Sequence, residues 1–128
     1  MDDHARCPCL SGLPYGECCG PLHRGVRAAP TAEALMRSRY SAFVVLDADY
    51  LLASWHASTR PPSLELDAGQ RWLRLEILAV DGGGPFDSVG TVEFAAHFRA
   101  DGQRGQLLEV SRFVREDGRW FYVDGDVT

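Results

Sequence analysis

Four cysteines are the residues of this sequence whose types and spacing most clearly indicate chemistry. They form two tight pairs, Cys7-Pro8-Cys9 and Cys18-Cys19, within the first 19 residues. Four thiolates favour a tetrahedral ion, and zinc, bound at about 2.3 Å from each sulfur, is the first candidate. Because four protein ligands leave no open coordination position, the pattern predicts a structural Zn²⁺ site rather than a catalytic one.

Other interpretations of the cysteine pairs stay open. Disulfides are disfavoured because the neighbouring residues Cys18 and Cys19 can be bridged only with strain. An iron–sulfur cluster is disfavoured because the spacing matches none of the common patterns, and redox sensing requires exposed, labile thiolates. His23 follows the second pair closely and could replace Cys19 as the fourth ligand. The alternative for His23 is a hydrogen bond or simple packing beside the site.

A second group of candidates lies later in the chain, where His56, His97 and Arg112 are possible pocket residues. Arg112 alternates in phase with Val110 and Val114, on a strand face expected to be apolar. A charge on such a face needs an acidic partner or a cavity. The alternative is a solvated face with one structural ion pair. No nucleophile–base pair and no phosphate-binding loop is present, so the sequence indicates no catalytic residues.

Two unequal parts of the chain must position these residues. Residues 1–29, the N-terminal segment, are rich in Cys, Gly and Pro and have little hydrophobic periodicity. Such a segment cannot bury enough apolar surface to offset its loss of conformational entropy, so it needs a cross-link. Residues 30–128 have the pattern of an α+β domain.

The α+β domain begins with two predicted helices. Thr31 is a suitable N-cap for the first, whose apolar positions at residues 32, 36, 40 and 43 lie on one helical face. Asp47 is a suitable cap for a second, shorter helix that continues to about His56. The Arg60-Pro61-Pro62 sequence ends the helical part of the chain.

Alternating residues then predict four strands, at about residues 72–80, 89–99, 107–115 and 119–124. In the first strand, Leu73, Leu75, Ile77 and Ala79 are expected to share one face. Asp101-Gly102 and Asp117-Gly118 have the composition of hairpin turns. The sequence therefore predicts a curved antiparallel sheet with helices covering one face.

The cysteine pairs also carry a family resemblance. Residues 7–20, CPCLSGLPYGECCG, closely resemble the SEC-C motif, a small zinc-binding module first known from the C-terminal tail of the SecA translocation ATPase. The resemblance implies four zinc ligands, which are Cys7, Cys9, Cys18 and Cys19. SecA itself usually has histidine at the position of Cys19, and Leu10 stands where the motif generally has glycine.

The resemblance continues beyond the cysteines. The segments MRSRYSAF at 36–43, SRF at 111–113 and WFYVDG at 120–125 look like those of the YchJ-like family of uncharacterised bacterial SEC-C proteins. For residues 30–128 this resemblance implies a fold like that of nuclear transport factor 2, in which helices form a cone against a curved sheet. It implies no settled activity.

Charge and composition limit the function further. The net charge of −5 and the pI near 5.2 argue against a nucleic-acid partner, and no apolar stretch is long enough for membrane insertion. With no recognisable secretory signal, we expect a cytoplasmic protein. The preferred hypothesis is a zinc-binding module that docks on another protein. The alternative is an enzyme or small-ligand-binding protein that uses the cone pocket.

Overall fold

The structure, a computed structural model, describes all 128 residues. After a short 3-10 helix at Tyr15–Glu17, the helices are α1 (Cys19–His23), α2 (Ala32–Val45) and α3 (Ala48–Ala53). The strands are β1 (Arg71–Gly82), β2 (Val89–Ala100), β3 (Gln103–Glu116) and β4 (Arg119–Val127). They form one antiparallel sheet in the order β1-β2-β3-β4. The predicted α+β class and the curved antiparallel sheet are confirmed. None of the helices combines the length and the apolar character that crossing a membrane requires.

Two-residue turns join the last three strands at the predicted positions. All four turn residues have positive φ: 52° and 75° at Asp101 and Gly102, and 53° and 76° at Asp117 and Gly118. Positive φ at both central residues is the geometry of the type I′ turn, which matches the right-handed twist of hairpin strands. Asp-Gly pairs adopt this geometry more easily than most sequences do, and they therefore fix the register of the sheet.

Both predicted helix caps are present. The hydroxyl of Thr31 accepts a hydrogen bond from the backbone N–H of Ala34 (3.0 Å), and the carboxylate of Asp47 accepts one from that of Tyr50 (3.0 Å). Helix α3 ends at Ala53, earlier than the sequence predicts. The chain leaves the helix there because residues 54–56 pair with β4: the N–H of Tyr122 donates to Ser54 O and the N–H of residue 56 donates to Tyr122 O.

The main core lies between α2 and the concave face of the sheet. It is a cluster of 12 buried residues, to which α2 contributes Ala32, Met36 and Tyr40. A separate buried cluster contains Tyr15 and three of the cysteines. Leu22 and Ala29 of the N-terminal segment belong to the main core, so the segment also packs on the α+β domain.

Strand β1 differs from the predicted alternation. Its pairing with β2 shifts register between Trp72 and Arg74 and again between Ile77 and Ala79. Such bulges change which face the following residues occupy. Leu73 and Ala79 are consequently exposed, whereas Trp72, Leu75 and Ile77 pack on the core, and the expectation that Leu73 and Ala79 share the inner face is wrong.

Candidate functional site

The four cysteine sulfurs converge on one point. They lie within 4.8 Å of one another, with Cys9 Sγ 3.6 Å from Cys18 Sγ and Cys18 Sγ 3.9 Å from Cys19 Sγ. A tetrahedral ion bound at about 2.3 Å from each sulfur places neighbouring sulfurs about 3.8 Å apart. The distances are far longer than the ~2.05 Å of a disulfide bond, and all four cysteines are free. This set of residues, the sulfur cluster, fits a single metal ion.

A tight reversal after the first pair turns both of its sulfurs inward. The N–H of Leu10 donates to Cys7 O (3.1 Å), and the N–H of Cys7 donates to Leu13 O (3.0 Å). Leu10 has a φ of 63°, in the left-handed region that favours glycine. This geometry explains why the SEC-C motif generally has glycine at this position, and Leu10 accommodates it with a partly exposed side chain.

The second cysteine pair is held by the helical turns on either side of it. Cys18 follows the 3-10 helix, and Cys19 is the first residue of α1. The hydroxyl of Ser11 lies 3.1 Å from Cys18 Sγ and accepts a hydrogen bond from the N–H of Leu13 (3.2 Å). Through these two contacts, in the first of which either the hydroxyl or the thiol can donate, Ser11 links the two halves of the loop.

Burial and mutual hydrogen bonding perturb the thiols strongly. Cys7, Cys9 and Cys19 are at most 1% exposed, whereas Cys18 is partly exposed. Hydrogen bonds from the thiols of Cys19 and Cys9 lower the pKa of Cys7, whereas the hydrogen bond to Cys7 raises the pKa of Cys19. Burial raises the pKa of Cys18 to about 11. The metal-free cluster therefore retains thiol protons at neutral pH, and a bound cation would displace them.

The sulfur cluster is fixed to one side of α2. The Nη1 of Arg37 donates to Cys9 O (2.8 Å), while its Nε donates to Glu33 (3.0 Å). The hydroxyl of Ser41 lies 3.6 Å from Cys7 Sγ, at the fully buried end of the cluster. Helix α2 therefore positions the first cysteine pair directly.

His23 lies beside the sulfur cluster and uses both ring nitrogens elsewhere. Its Nε2 lies 2.8 Å from Ser38 O, and its Nδ1 lies 2.6 Å from the hydroxyl of Tyr15. Since a carbonyl can only accept, Nε2 carries the proton and Nδ1 accepts from Tyr15. The structure thus brings Cys19, and not His23, into the cluster, and His23 links the N-terminal segment to α2.

Arg112 lies on the convex face of the sheet, away from the core. Its Nε donates to Asp124 (2.6 Å) and its Nη1 donates to Asp126 (2.8 Å). The inner face of β3 instead carries Ser111 and Phe113, which are buried. Arg112 is therefore not among the residues that line the concave-side cavity, because the face of β3 on which it lies is the outer one. Arg112 forms the structural ion pair given as the alternative.

The two candidate histidines also make local contacts. The Nε2 of His56 lies 2.8 Å from a carboxylate oxygen of Glu116, and the Nε2 of His97 lies 3.0 Å from one of Glu76. Neither histidine is among the residues that line the concave-side cavity. The structure brings neither of them together with Arg112.

The concave-side cavity has polar residues on its wall that are absent from the predicted set. Arg39, Glu109 and Ser111 lie on its wall among nine hydrophobic residues. A signal for Arg39 was present in the sequence, because it lies three residues after Met36 and directly before Tyr40, on the buried stripe of α2. Glu109 lies on the same face of β3 as Phe113. The sequence alone does not show that this face is the one covered by the helices.

Comparison with known families matches the N-terminal segment and the α+β domain separately. Residues 5–21 match the SEC-C motif, and residues 31–125 match the family described as YchJ, middle NTF2-like domain. Fold and cysteine motif together define a SEC-C motif protein with a nuclear transport factor 2-like domain. The chain belongs to the YchJ-like family.

Relatives and solved structures agree with this assignment. A UPF0225 protein of Streptomyces coelicolor is 55% identical over 120 residues, covering 94% of both chains. One of Corynebacterium efficiens is 52% identical and covers 98% of this chain and 96% of the relative. The solution structure of a SEC-C motif containing protein from Rhodopseudomonas palustris has a TM-score of 0.84 at 36% identity, over 96% of this chain and 98% of that one. The crystal structure of a SEC-C motif containing protein from Psychrobacter arcticus has a TM-score of 0.80 at 28% identity. The match covers 98% of this chain and 84% of that one.

Proposed function

We propose that the chain binds one Zn²⁺ through the sulfur cluster and that the ion is structural. The observation that carries this proposal is the convergence of four sulfurs within 4.8 Å, with contacts that fit the edges of a tetrahedron. A cluster of several irons places its thiolates on different metal atoms, and it therefore needs the sulfurs farther apart. Zinc is preferred among single ions because tetrahedral tetrathiolate sites are typical of it.

A structural role follows from the closed ligand set. All four positions are filled by protein sulfur, so no position is left for water or a substrate. The N-terminal segment has few apolar residues of its own, and the free energy of metal binding replaces the missing core. Thiolate ligands require a reducing compartment, and for that reason we place the protein in the cytoplasm.

Metal binding is expected to depend on pH because zinc replaces protons. Burial holds the pKa of Cys18 at about 11 in the absence of metal, so thiols must lose protons when the ion binds. The apparent zinc affinity should therefore fall as the pH is lowered. Competition with a chelator of known affinity at two pH values measures this trend, after correction for protonation of the chelator itself.

The metal-bound segment is proposed to dock on another protein. The loop between the cysteine pairs presents Leu10 and Leu13, which are 48% and 49% exposed. Two exposed leucines held on a rigid, metal-bound loop form a small apolar contact surface, and such ordering before binding lowers the entropic cost of association. The SEC-C resemblance is consistent with contacts to other proteins.

Metal analysis of the purified protein tests the zinc proposal. We expect about one zinc per chain in the wild type and in His23→Phe, and loss of zinc in Cys9→Ser. Because His23 uses both ring nitrogens on protein partners, its variant is a matched control for the alternative ligand set. A metal-free protein that is fully ordered, or one iron in place of zinc, would contradict the proposal.

Site-specific photo-crosslinking tests the docking proposal. A photoreactive residue at Leu13 is compared with one at Phe86, which is 96% exposed but lies in the β1–β2 connection. We expect a defined protein adduct from position 13 that disappears when Cys9→Ser is added. Equal capture at both positions, or capture that does not need the metal ligands, would count against it.

A further inference from the structure

A mainly apolar cavity, partly open to solvent, lies between α2 and the concave face of the sheet. Its volume is about 170 Å³. Tyr40, Phe43, Trp72 and Phe94 supply much of its aromatic wall. An engineered apolar cavity of about 150 Å³ in another protein stays dry and binds benzene. The present cavity therefore has room for one aromatic ring with a small substituent.

The same cavity has an arginine on its wall. Arg39 is only 4% exposed, and its Nη1 donates to Leu51 O (2.8 Å) and Ser54 Oγ (2.7 Å). No carboxylate forms an ion pair with it, and its Nε and Nη2 have no acceptor in the protein. Burial lowers the pKa of Arg39 to about 10, so the guanidinium is still charged at neutral pH. Glu109 on the same wall interacts favourably with this charge without forming a direct ion pair, so the Nε and Nη2 donors stay open to a further acceptor.

Two aromatic rings hold the guanidinium in place. Its central carbon lies 4.4 Å from the ring centre of Tyr122 and 5.2 Å from that of Trp55. The indole N–H of Trp55 is itself buried and has no acceptor. Trp55 lines the cavity with its ring, whereas its N–H is fully buried and does not open onto the cavity, so the donors available there are those of Arg39.

The protein's own carboxylate at the cavity, Glu109, is engaged through one of its two oxygens, Oε2. Glu109 accepts hydrogen bonds from the hydroxyls of Ser111 and Tyr122, and it does not pair with Arg39. The wall thus presents the unpartnered Nε and Nη2 donors of Arg39 in otherwise apolar surroundings. A ligand that matches this wall needs an apolar ring and an anionic acceptor.

We propose that the cavity is a binding site for a monocyclic aromatic carboxylate. The ring packs against the aromatic wall, and the carboxylate accepts hydrogen bonds from Arg39. The planar guanidinium offers the two-pronged geometry that carboxylates match best. The cavity volume restricts the ligand to a single ring. This site is separate from the sulfur cluster and does not depend on the identity of the metal.

Titration with benzoate, followed by ¹H–¹⁵N spectra of the metal-loaded protein, tests the proposal. We expect saturable shifts with a dissociation constant on the order of a millimolar or below, as for a ligand of this size. Three indole N–H signals provide an internal control. Those of Trp55 and Trp72, which line the cavity, should move, whereas that of Trp120, which does not line it, should stay.

Matched variants locate the binding. Arg39→Lys keeps the charge but loses the two-pronged geometry, and it should weaken benzoate binding at least tenfold. Arg112→Lys changes an arginine on the convex face and should leave the affinity unchanged. Should Arg39→Lys fail to fold, Ala96→Leu fills the cavity from the sheet side and should abolish the shifts while Arg39 is retained.

The neutral analogue benzamide tests the role of charge. Benzamide has nearly the same shape as benzoate but no negative charge, so we expect it to bind at least tenfold more weakly. Equal affinity for the two compounds, binding that survives Ala96→Leu, or no saturable response to benzoate would each overturn the proposal.

Discussion

The two buried clusters of this molecule differ in the residue types that form them. The main core has 12 buried hydrophobic residues, ten of which come from helices and strands of the α+β domain. The cluster of the N-terminal segment has four, three of which are cysteines. Burial of apolar surface can stabilise the first without help. The second consists mainly of cysteines and has few apolar contacts, so we expect its order to depend on a metal bound by the sulfurs.

Helix α2 belongs to both regions and shows the contrast on its two sides. Towards the sheet it presents Met36 and Tyr40, which pack in the main core. Towards the N-terminal segment it presents Arg37, Ser38 and Ser41, which make polar contacts. An apolar interface loses stability gradually when contacts are trimmed, whereas a polar one depends on a few defined partners. The two regions should therefore respond differently to the same kind of perturbation.

Metal removal should have the largest effect, and it should be confined to one region. On chelation we expect amides of residues 5–21 to lose protection from hydrogen exchange, while those of β2 and β3 stay protected. The expected loss of stabilisation is on the order of 10 kcal/mol, by analogy with small zinc peptides. Hydrogen exchange measured by mass spectrometry, with and without chelator, checks this. If β2 and β3 lose protection together with residues 5–21, the two regions fold as one unit and the contrast is wrong.

Trimming the main core should destabilise the α+β domain and leave the sulfur cluster unchanged. Phe113 is 1% exposed and lies on the inner face of β3, so Phe113→Ala should lower the free energy of unfolding by about 3–5 kcal/mol. Zinc content should remain at the wild-type level. Denaturant titration together with metal analysis measures both quantities. Arg112→Ala, one residue away but on the outer face, is the control and should cost much less than Phe113→Ala.

Patterned elements of the α+β domain were predictable from sequence. The two Asp-Gly turns and the stripe of Met36, Tyr40 and Phe43 follow from local rules of backbone geometry and periodicity. The convergence of the four cysteine sulfurs was equally predictable, because few other arrangements explain so many thiols in so short a segment.

The residues that line the cavity were not predictable, because they depend on which face of each strand is covered. In β3 the outer face carries Val110 and Val114, and the inner face carries Glu109 and Ser111, so hydrophobicity indicates the wrong side. The bulges of β1 likewise have no local signal that would place Leu73 outside. Such features are set by the tertiary packing around α2, which periodicity alone does not contain.

The contact between the two regions should respond to the loss of His23. In His23→Phe the ring contact with Tyr50, now 4.6 Å between centres, can persist, but the hydrogen bonds to Tyr15 and Ser38 cannot. Leaving buried partners unsatisfied costs about 1–3 kcal/mol. We expect faster hydrogen exchange at α1 with zinc still bound. Tyr15→Phe removes one of the two bonds and should have a smaller effect; an effect as large as that of His23→Phe would show that the link to Ser38 contributes nothing.

The smallest expected effect comes from the turn at Leu10, in the loop between the cysteine pairs. Whether the substitution stabilises or destabilises this loop tests the role of its backbone geometry. Leu10 has a φ of 63° and is 48% exposed, so Leu10→Gly relieves backbone strain while little packing is lost. Added flexibility of the unfolded chain offsets part of the gain, which leaves a net stabilisation of about 0.5–1 kcal/mol. Leu13 is equally exposed but is not among the residues with positive φ, so Leu13→Gly should destabilise by a similar amount. Competition for zinc between each variant and a chelator measures the difference. If both variants shift zinc affinity in the same direction, backbone geometry at Leu10 does not control the order of this loop.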